Sequence, residues 1–213
     1  MLDLSLVKIE SETYVLSQGG KTCDWLPSLG LEDISLRDSA KVAARALVLN
    51  IFVNIAFSAP IAIARKWLIE NDLMDSLTLE ERKIIEGEAE PNEETKNQLK
   101  WQIECLWAAA WAGGLASDLL PVQEISNSLA SWLPSLRNNE SASEFYGKFQ
   151  LRSHDEIYKK LDLFYRSHWH ARSSQLEGND PAPFHPGVVQ QRRHFLEWVL
   201  HREVSWDDVD LST

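Results

Sequence analysis

Residues 103–112 read Ile-Glu-Cys-Leu-Trp-Ala-Ala-Ala-Trp-Ala, and this run limits the possible folds more than any other part of the chain. Wound as a helix, it places Ile103, Cys105, Leu106, Trp107, Ala108, Ala109, Ala110 and Trp111 on nearly every face. A helix that is apolar all round must be surrounded by protein. A helix from about Glu93 to Trp111 is therefore expected as the hub of the core, ended or kinked by Gly113-Gly114. The expected fold class is all-α: one globular multi-helix domain around a Trp/Ala-rich central helix.

Other helices can be placed around it. Apolar positions 42, 46, 49 and 53 lie three to four apart and predict a helix from about Arg37 to Phe57, with Ser35 as its N-cap. A second begins at Pro60 and runs to about Asn71. Thr78-Leu79-Glu80-Glu81 has the form of a capping box opening a short helix to Ile85. Residues 121–133 read as a further helix and 138–150 as a polar loop with weak helical character. Ser153-His154-Asp155-Glu156 is a second capping box, opening a strong helix to about Gln175. The last helix spans about Val188 to His201, and an acidic tail follows. Residues 1–36 mix β-formers (Val7, Ile9, Thr13, Tyr14, Val15) with polar residues and form an N-terminal arm, a short hairpin or irregular. Residues 37–213 form the helical domain, with the acidic loop 86–94 as the candidate subdivision.

Residues 46–64 carry no charge and are long enough to cross a bilayer. Asn50, Asn54 and Ser58 recur every four residues as a polar stripe, however, and Pro60 interrupts the run. Two consecutive core helices are the expected reading, with no membrane role. The N-terminus lacks a basic stretch followed by an apolar one, so no signal peptide is expected. Cys23 and Cys105 do not make a disulfide framework, and a cytoplasmic setting follows. The chain of 213 residues has 21 basic and 32 acidic side chains, a net charge of −11. Such a surface repels a phosphate backbone, so no nucleic-acid partner is expected and a basic protein partner fits better. The charge is concentrated: residues 70–94 hold ten carboxylates against Arg82 and Lys83.

Signatures of chemistry are sparse. His168 and His170 are about 200° apart on a helix and cannot share a metal. His194 and His201 share a face but lack a carboxylate at zinc-ligand spacing, and no H-E-x-x-H occurs. No metal and no cofactor are expected. Nucleophile elbows, S-x-x-K and phosphate-cradling glycine loops are all missing. Cys105 sits in apolar surroundings that predict an inert thiol. The sharpest cluster is Tyr165, Arg166, His168, Arg192, Arg193, Asp207 and Asp208. It reads either as a polar pocket with Arg166, His168 and Arg193 binding an anion, or as an ion-pair network docking the acidic tail onto two helices. The second is the plainer reading.

The order Tyr165-Arg166-x-His168-Trp169-x-x-Arg172, then Val189-x-x-Arg192-Arg193-x-x-Leu196-Glu197-Trp198, then Trp206-Asp207-Asp208-Val209-Asp210-Leu211-Ser212-Thr213 resembles the bacterial domain-of-unknown-function 4272 family. The resemblance extends to Arg45-Ala46-Leu47, to Leu79-Glu80-Glu81-Arg82 and to Trp101 through Leu115, and leaves the first 36 residues outside. It implies a mostly helical domain with no assigned activity and no catalytic residues to carry over.

Two functional expectations follow. One is a non-catalytic protein-binding protein, most concretely a cytoplasmic immunity or inhibitor protein that neutralises a bacterial toxin through Glu86, Glu88, Glu90, Glu93 and Glu94. The other is an enzyme or small-anion-binding protein using the arginine- and histidine-lined pocket. The oligomeric state is not encoded in any motif.

Overall fold

The computed structural model describes residues 2–32 and 34–213. Among these residues the regular structure is helical, joined by one isolated bridge between Ser35 and His201. The helices are α1 (Leu4–Ser17), α2 (Ser39–Ala56), α3 (Ile61–Glu70), α4 (Leu79–Glu86), α5 (Glu93–Ala112), α6 (Leu129–Trp132), α7 (Ser143–Lys148), α8 (His154–Leu176) and α9 (Pro186–Leu200). Short 3-10 turns occur at Met74–Ser76 and Trp206–Asp208. The chain divides into two compact units, neither continuous in sequence. The first comprises Met1–Arg37, Asp118–Glu124 and Arg152–Thr213; the second comprises Asp38–Ser117 and Ile125–Leu151. The acidic segment 86–94 thus falls inside the second unit.

In the first unit α8 lies along α9, and α1 packs on α8. The expected hairpin or irregular arm at the N-terminus is instead a helix over Leu4–Ser17. Asp3 caps it by accepting from the backbone N–H groups of Ser5 and Leu6. Val7, Ser11 and Val15, spaced by four, are its buried stripe. Tertiary contact outweighs the modest helix penalty of β-branched residues. The C-terminal end of α9 is closed by Arg37. Its guanidinium donates to the carbonyls of Trp198, His201 and Val204 at 3.0, 2.8 and 2.7 Å, and lies 4.0 Å from the Trp198 ring centre. A cation satisfying orphan carbonyls is the favourable charge for that end of a helix. Beyond it, buried Trp206 stacks on His194 with ring centres 4.4 Å apart and meets Trp198 edge-on at 5.5 Å.

The second unit is built on α2 against α5. From Glu104 to Ala112 every residue of α5 is buried, as its all-round apolarity requires. The N-terminal half of α5 is largely exposed. α2 is buried more completely still, and it is long and apolar enough to cross a membrane by length and composition alone. Of its 18-residue window 78 % is buried inside the protein, which marks it as a core helix. Its polar stripe is used: Asn50 donates to the carbonyl of Pro134 at 3.2 Å, and Asn54 donates to that of Asn50 at 2.8 Å. α2 ends where expected, with Ser58 in a left-handed turn (φ 73°) before Pro60.

The start of α2 differs from expectation. Asp38, not Ser35, is the cap, accepting from the N–H groups of Ala40 and Lys41, while Ser35 bridges to His201. Residues 121–133 are mostly turn and loop, and only Leu129–Trp132 is helical. Both predicted capping boxes form, at Thr78/Glu81 and at Ser153/Glu156. Gly113 and Gly114 end α5. Gly114 takes a left-handed φ of 76°, and a Cβ on Gly113 would stand 2.2 Å from the Phe149 ring.

Candidate functional site

The Arg/His cluster stands on α8 and α9. Arg166 and Asp162 are one turn apart, and the predicted pair forms as a fork: Nε and Nη2 donate to the two carboxylate oxygens at 2.9 Å each. Both side chains are 1 % exposed, so this is a core pair rather than a surface one. The remaining donors of Arg166 reach Glu12 of α1 at 3.1 Å and the carbonyl of Pro27 at 3.2 Å. Full satisfaction of the fork offsets the cost of burying it.

Arg193 is equally committed. It donates to Glu197 at 3.0 Å, to Nδ1 of His168 at 3.0 Å, and to the carbonyls of Leu211 and Ser212 at 3.1 and 3.2 Å. Its guanidinium also lies 4.9 Å from the centre of the Tyr165 ring. Arginine has no lone pair to offer, so Nδ1 of His168 must be the acceptor and Nε2 must carry the proton. Burial, with Arg193 and Arg172 nearby, lowers the pKa of His168 to about 4. The ring is therefore neutral at physiological pH. Burial pushes the Glu197 carboxyl upward, while Arg193 and His201 pull it back.

Arg192 faces elsewhere. It donates to the carbonyls of Leu120 and Gln123 at 2.6 and 2.8 Å and so fixes the segment 118–124 within the first unit. Asp207 and Asp208 lie in the turn Trp206–Asp208, where Asp208 accepts from the Ser205 hydroxyl. Thus the structure brings Tyr165, His168 and Arg193 together, sets Arg166 across the same tyrosine at 5.9 Å, and points Arg192 at a different stretch of chain. The tail is held on Arg193 by backbone carbonyls, which no residue pattern announces. Beside it Glu197, His201, Val204, Asp208, Val209 and Asp210 line a cavity of about 250 Å³.

The acidic segment is a different surface, in the second unit. Glu86, Glu88, Glu90, Glu93 and Glu94 are all exposed. Glu86 pairs with Arg82 at 3.7 Å and Glu93 with Lys96 at 2.9 Å. The segment is pinned at both ends. Gly87 closes α4 in the left-handed conformation, and Asn92 caps α5 by accepting from the N–H of Thr95. Glu93 and Glu94 occupy the first turn of α5, where the helix dipole favours negative charge.

One buried pair escaped the sequence reading. Arg45 of α2 forks onto Glu81 of α4 at 2.8 and 2.6 Å, with both side chains under 10 % exposed. Glu81 also accepts from the N–H of Thr78, so a single carboxylate completes the capping box and ties α4 to α2. The signal was present in two short motifs, Arg45-Ala46-Leu47 and Leu79-Glu80-Glu81-Arg82, but their pairing was not. Cys105 lies near Arg45 and Glu104, and burial holds its thiol far above the ordinary pKa. Among the described residues no group of three or more His, Cys, Asp or Glu side chains could hold a metal ion. A groove of about 450 Å³ in the second unit is lined by Asn50, Asn54 and Phe57 together with Ile103, Leu106 and Leu129.

The family model described as Domain of unknown function (DUF4272) matches residues 10–209. This chain belongs to that family. The match begins at residue 10, so most of the first 36 residues, which sequence motifs left outside the resemblance, lie within the domain. The structure explains why: α1 contributes Glu12 to Arg166 and the 20–30 segment contributes the carbonyl of Pro27, so this N-terminal stretch completes the α8 core of the DUF4272 domain. No curated protein and no solved structure matches the chain.

Proposed function

We propose that this chain is a non-catalytic protein-binding module of the bacterial cytoplasm that receives a basic protein partner on Glu86, Glu88, Glu90, Glu93 and Glu94. Its most concrete form is an immunity or inhibitor protein that neutralises a toxin. The observation that carries the reading is the exposure of all five carboxylates in one pinned segment, with Glu88, Glu90 and Glu94 making no salt bridge among the described residues. Unpaired surface charge of one sign steers an oppositely charged partner and speeds its association. A segment held at both ends loses little entropy on binding. The arginines that a catalytic pocket would need are buried and turned toward carboxylates and carbonyls of the same chain.

The test uses the purified full-length chain against the protein encoded beside it, with wild type compared to E88K/E90K/E94K. The expected result is binding that weakens steeply with salt, because rim charges act chiefly on association. Charge reversal should abolish it while lowering the melting temperature only slightly, through the loss of the Glu94 charge from the first turn of α5. Equal affinity for wild type and the triple variant would remove this surface from consideration.

A further inference from the structure

We propose that the stripe of α8 running from buried Tyr165 and His168 through half-buried Trp169 to exposed Arg172 is a binding site for a phosphomonoester whose organic part is a flat ring. The inference is independent of the acidic-segment reading, since it concerns the first unit.

At 3.6 residues per turn these four positions share one side of the helix. Along that side the charge is not balanced. Arg166 is neutralised by Asp162 and Glu12, and Arg193 by Glu197. Arg172 is exposed and has no salt-bridge partner among the described residues. His168 is 7 % exposed and locked with its proton on Nε2, because Nδ1 accepts from Arg193. That Nε2–H has no acceptor among the described residues. Among the described histidines the ring nitrogen both sealed from solvent and unpartnered is Nε2 of His170, so the His168 N–H keeps access to solvent and can meet a ligand oxygen. Burial raises the pKa of Tyr165, so its hydroxyl stays protonated and adds a third donor, which has no acceptor among the described residues. One guanidinium, one imidazole N–H and one phenol on one helix side match the several terminal oxygens of a phosphate better than the two of a carboxylate. The flat part has a seat as well. Trp169 is half-buried, and Trp25, 71 % exposed, meets it edge-on with ring centres 5.9 Å apart. Exposed tryptophan beside an arginine is an arrangement that stacks planar rings.

Calorimetric titration of the full chain with phenyl phosphate tests this, with inorganic phosphate and benzoate as comparators. The expected result is saturable binding of phenyl phosphate, weaker binding of inorganic phosphate, which lacks the ring, and weaker binding of benzoate, which lacks the third oxygen. Arg172→Gln should weaken phenyl phosphate by about tenfold or more, the value of one charge-assisted contact. Tyr165→Phe should weaken it less. His168→Asn keeps an acceptor for Arg193 but removes the Nε2 donor, and should also bind worse. Arg137→Gln, an exposed arginine of the second unit, should bind as wild type does. Arg172 is exposed, so its variant is expected to fold and decides the matter alone. No saturable binding by wild type, or Arg172→Gln binding within about twofold of wild type, a difference of less than 1 kcal/mol, overturns the proposal.

Discussion

Glu81 concentrates several contacts in one side chain. Replacing it with Ala removes the fork on buried Arg45 and half of a capping box at once. Breaking a buried pair costs about 3–5 kcal/mol. Urea denaturation of Glu81→Ala should show a loss of that size, and a loss under about 1 kcal/mol would mean the pair does not anchor α4. Gly113→Ala places a methyl against Phe149 and should cost about 1–3 kcal/mol, partly recovered by Phe149→Leu in the same chain. His168 gives a pH signature. Its folded pKa is about 4, below the ordinary 6.5, so the unfolded chain takes up a proton that the fold refuses. Its contribution is complete above pH 6.5 and falls as pH drops toward 4. The loss approaches roughly 3 kcal/mol, and melting curves of wild type against His168→Asn should diverge across that window. At this scale the sequence was legible only where partners are close along the chain. Asp162 and Arg166, one helical turn apart, could be paired by inspection. Arg45 and Glu81 are 36 residues apart, and periodicity says nothing about which helices meet.

Helices with strong ends were the easiest elements to foresee. Thr78 and Ser153 each face a glutamate three residues on, and both boxes form. Thr78→Ala should cost about 1 kcal/mol in thermal melts. The two misjudged stretches have physical causes. Residues 121–133 hold enough apolar side chains for a helix. Loop carbonyls at Leu120 and Gln123 are instead satisfied by Arg192, so the backbone there does not need helical bonds. The β-formers Val7, Ile9 and Val15 point to a short hairpin or an irregular arm, yet Asp3 and the four-residue spacing of Val7, Ser11 and Val15 are the better signals for α1. Ser11 is 5 % exposed, in the stripe of a helix packed on α8. Ser11→Leu should therefore overpack that contact and destabilise by about 1–3 kcal/mol, measurable as a lower melting temperature.

At the scale of the molecule, the apolar runs told which segments are helices but not how they are shared out. Hydrophobic pattern identifies a buried face without naming what covers it. Each unit draws on separated stretches, and this bears on dissection. A fragment of residues 38–151 contains every part of the second unit and should unfold cooperatively by circular dichroism. A fragment of residues 152–213 should not. It lacks Glu12 and the carbonyl of Pro27, leaving two partners of a buried guanidinium missing, and it lacks Arg37 at the end of α9. A cooperative melt from that shorter piece would show that the α8–α9 pair needs no N-terminal contribution.

The split composition of the first unit also sets a schedule for synthesis. α1 leaves the ribosome well before α8, the helix it packs on, which begins only at His154. All the residues of the second unit have been translated by residue 151, so its core can close while the nascent chain is still growing. Until α8 is made, the stripe of Val7, Ser11 and Val15 lacks the helix that covers it in the fold, and the newborn protein carries an unsheltered helix that suits a holding chaperone.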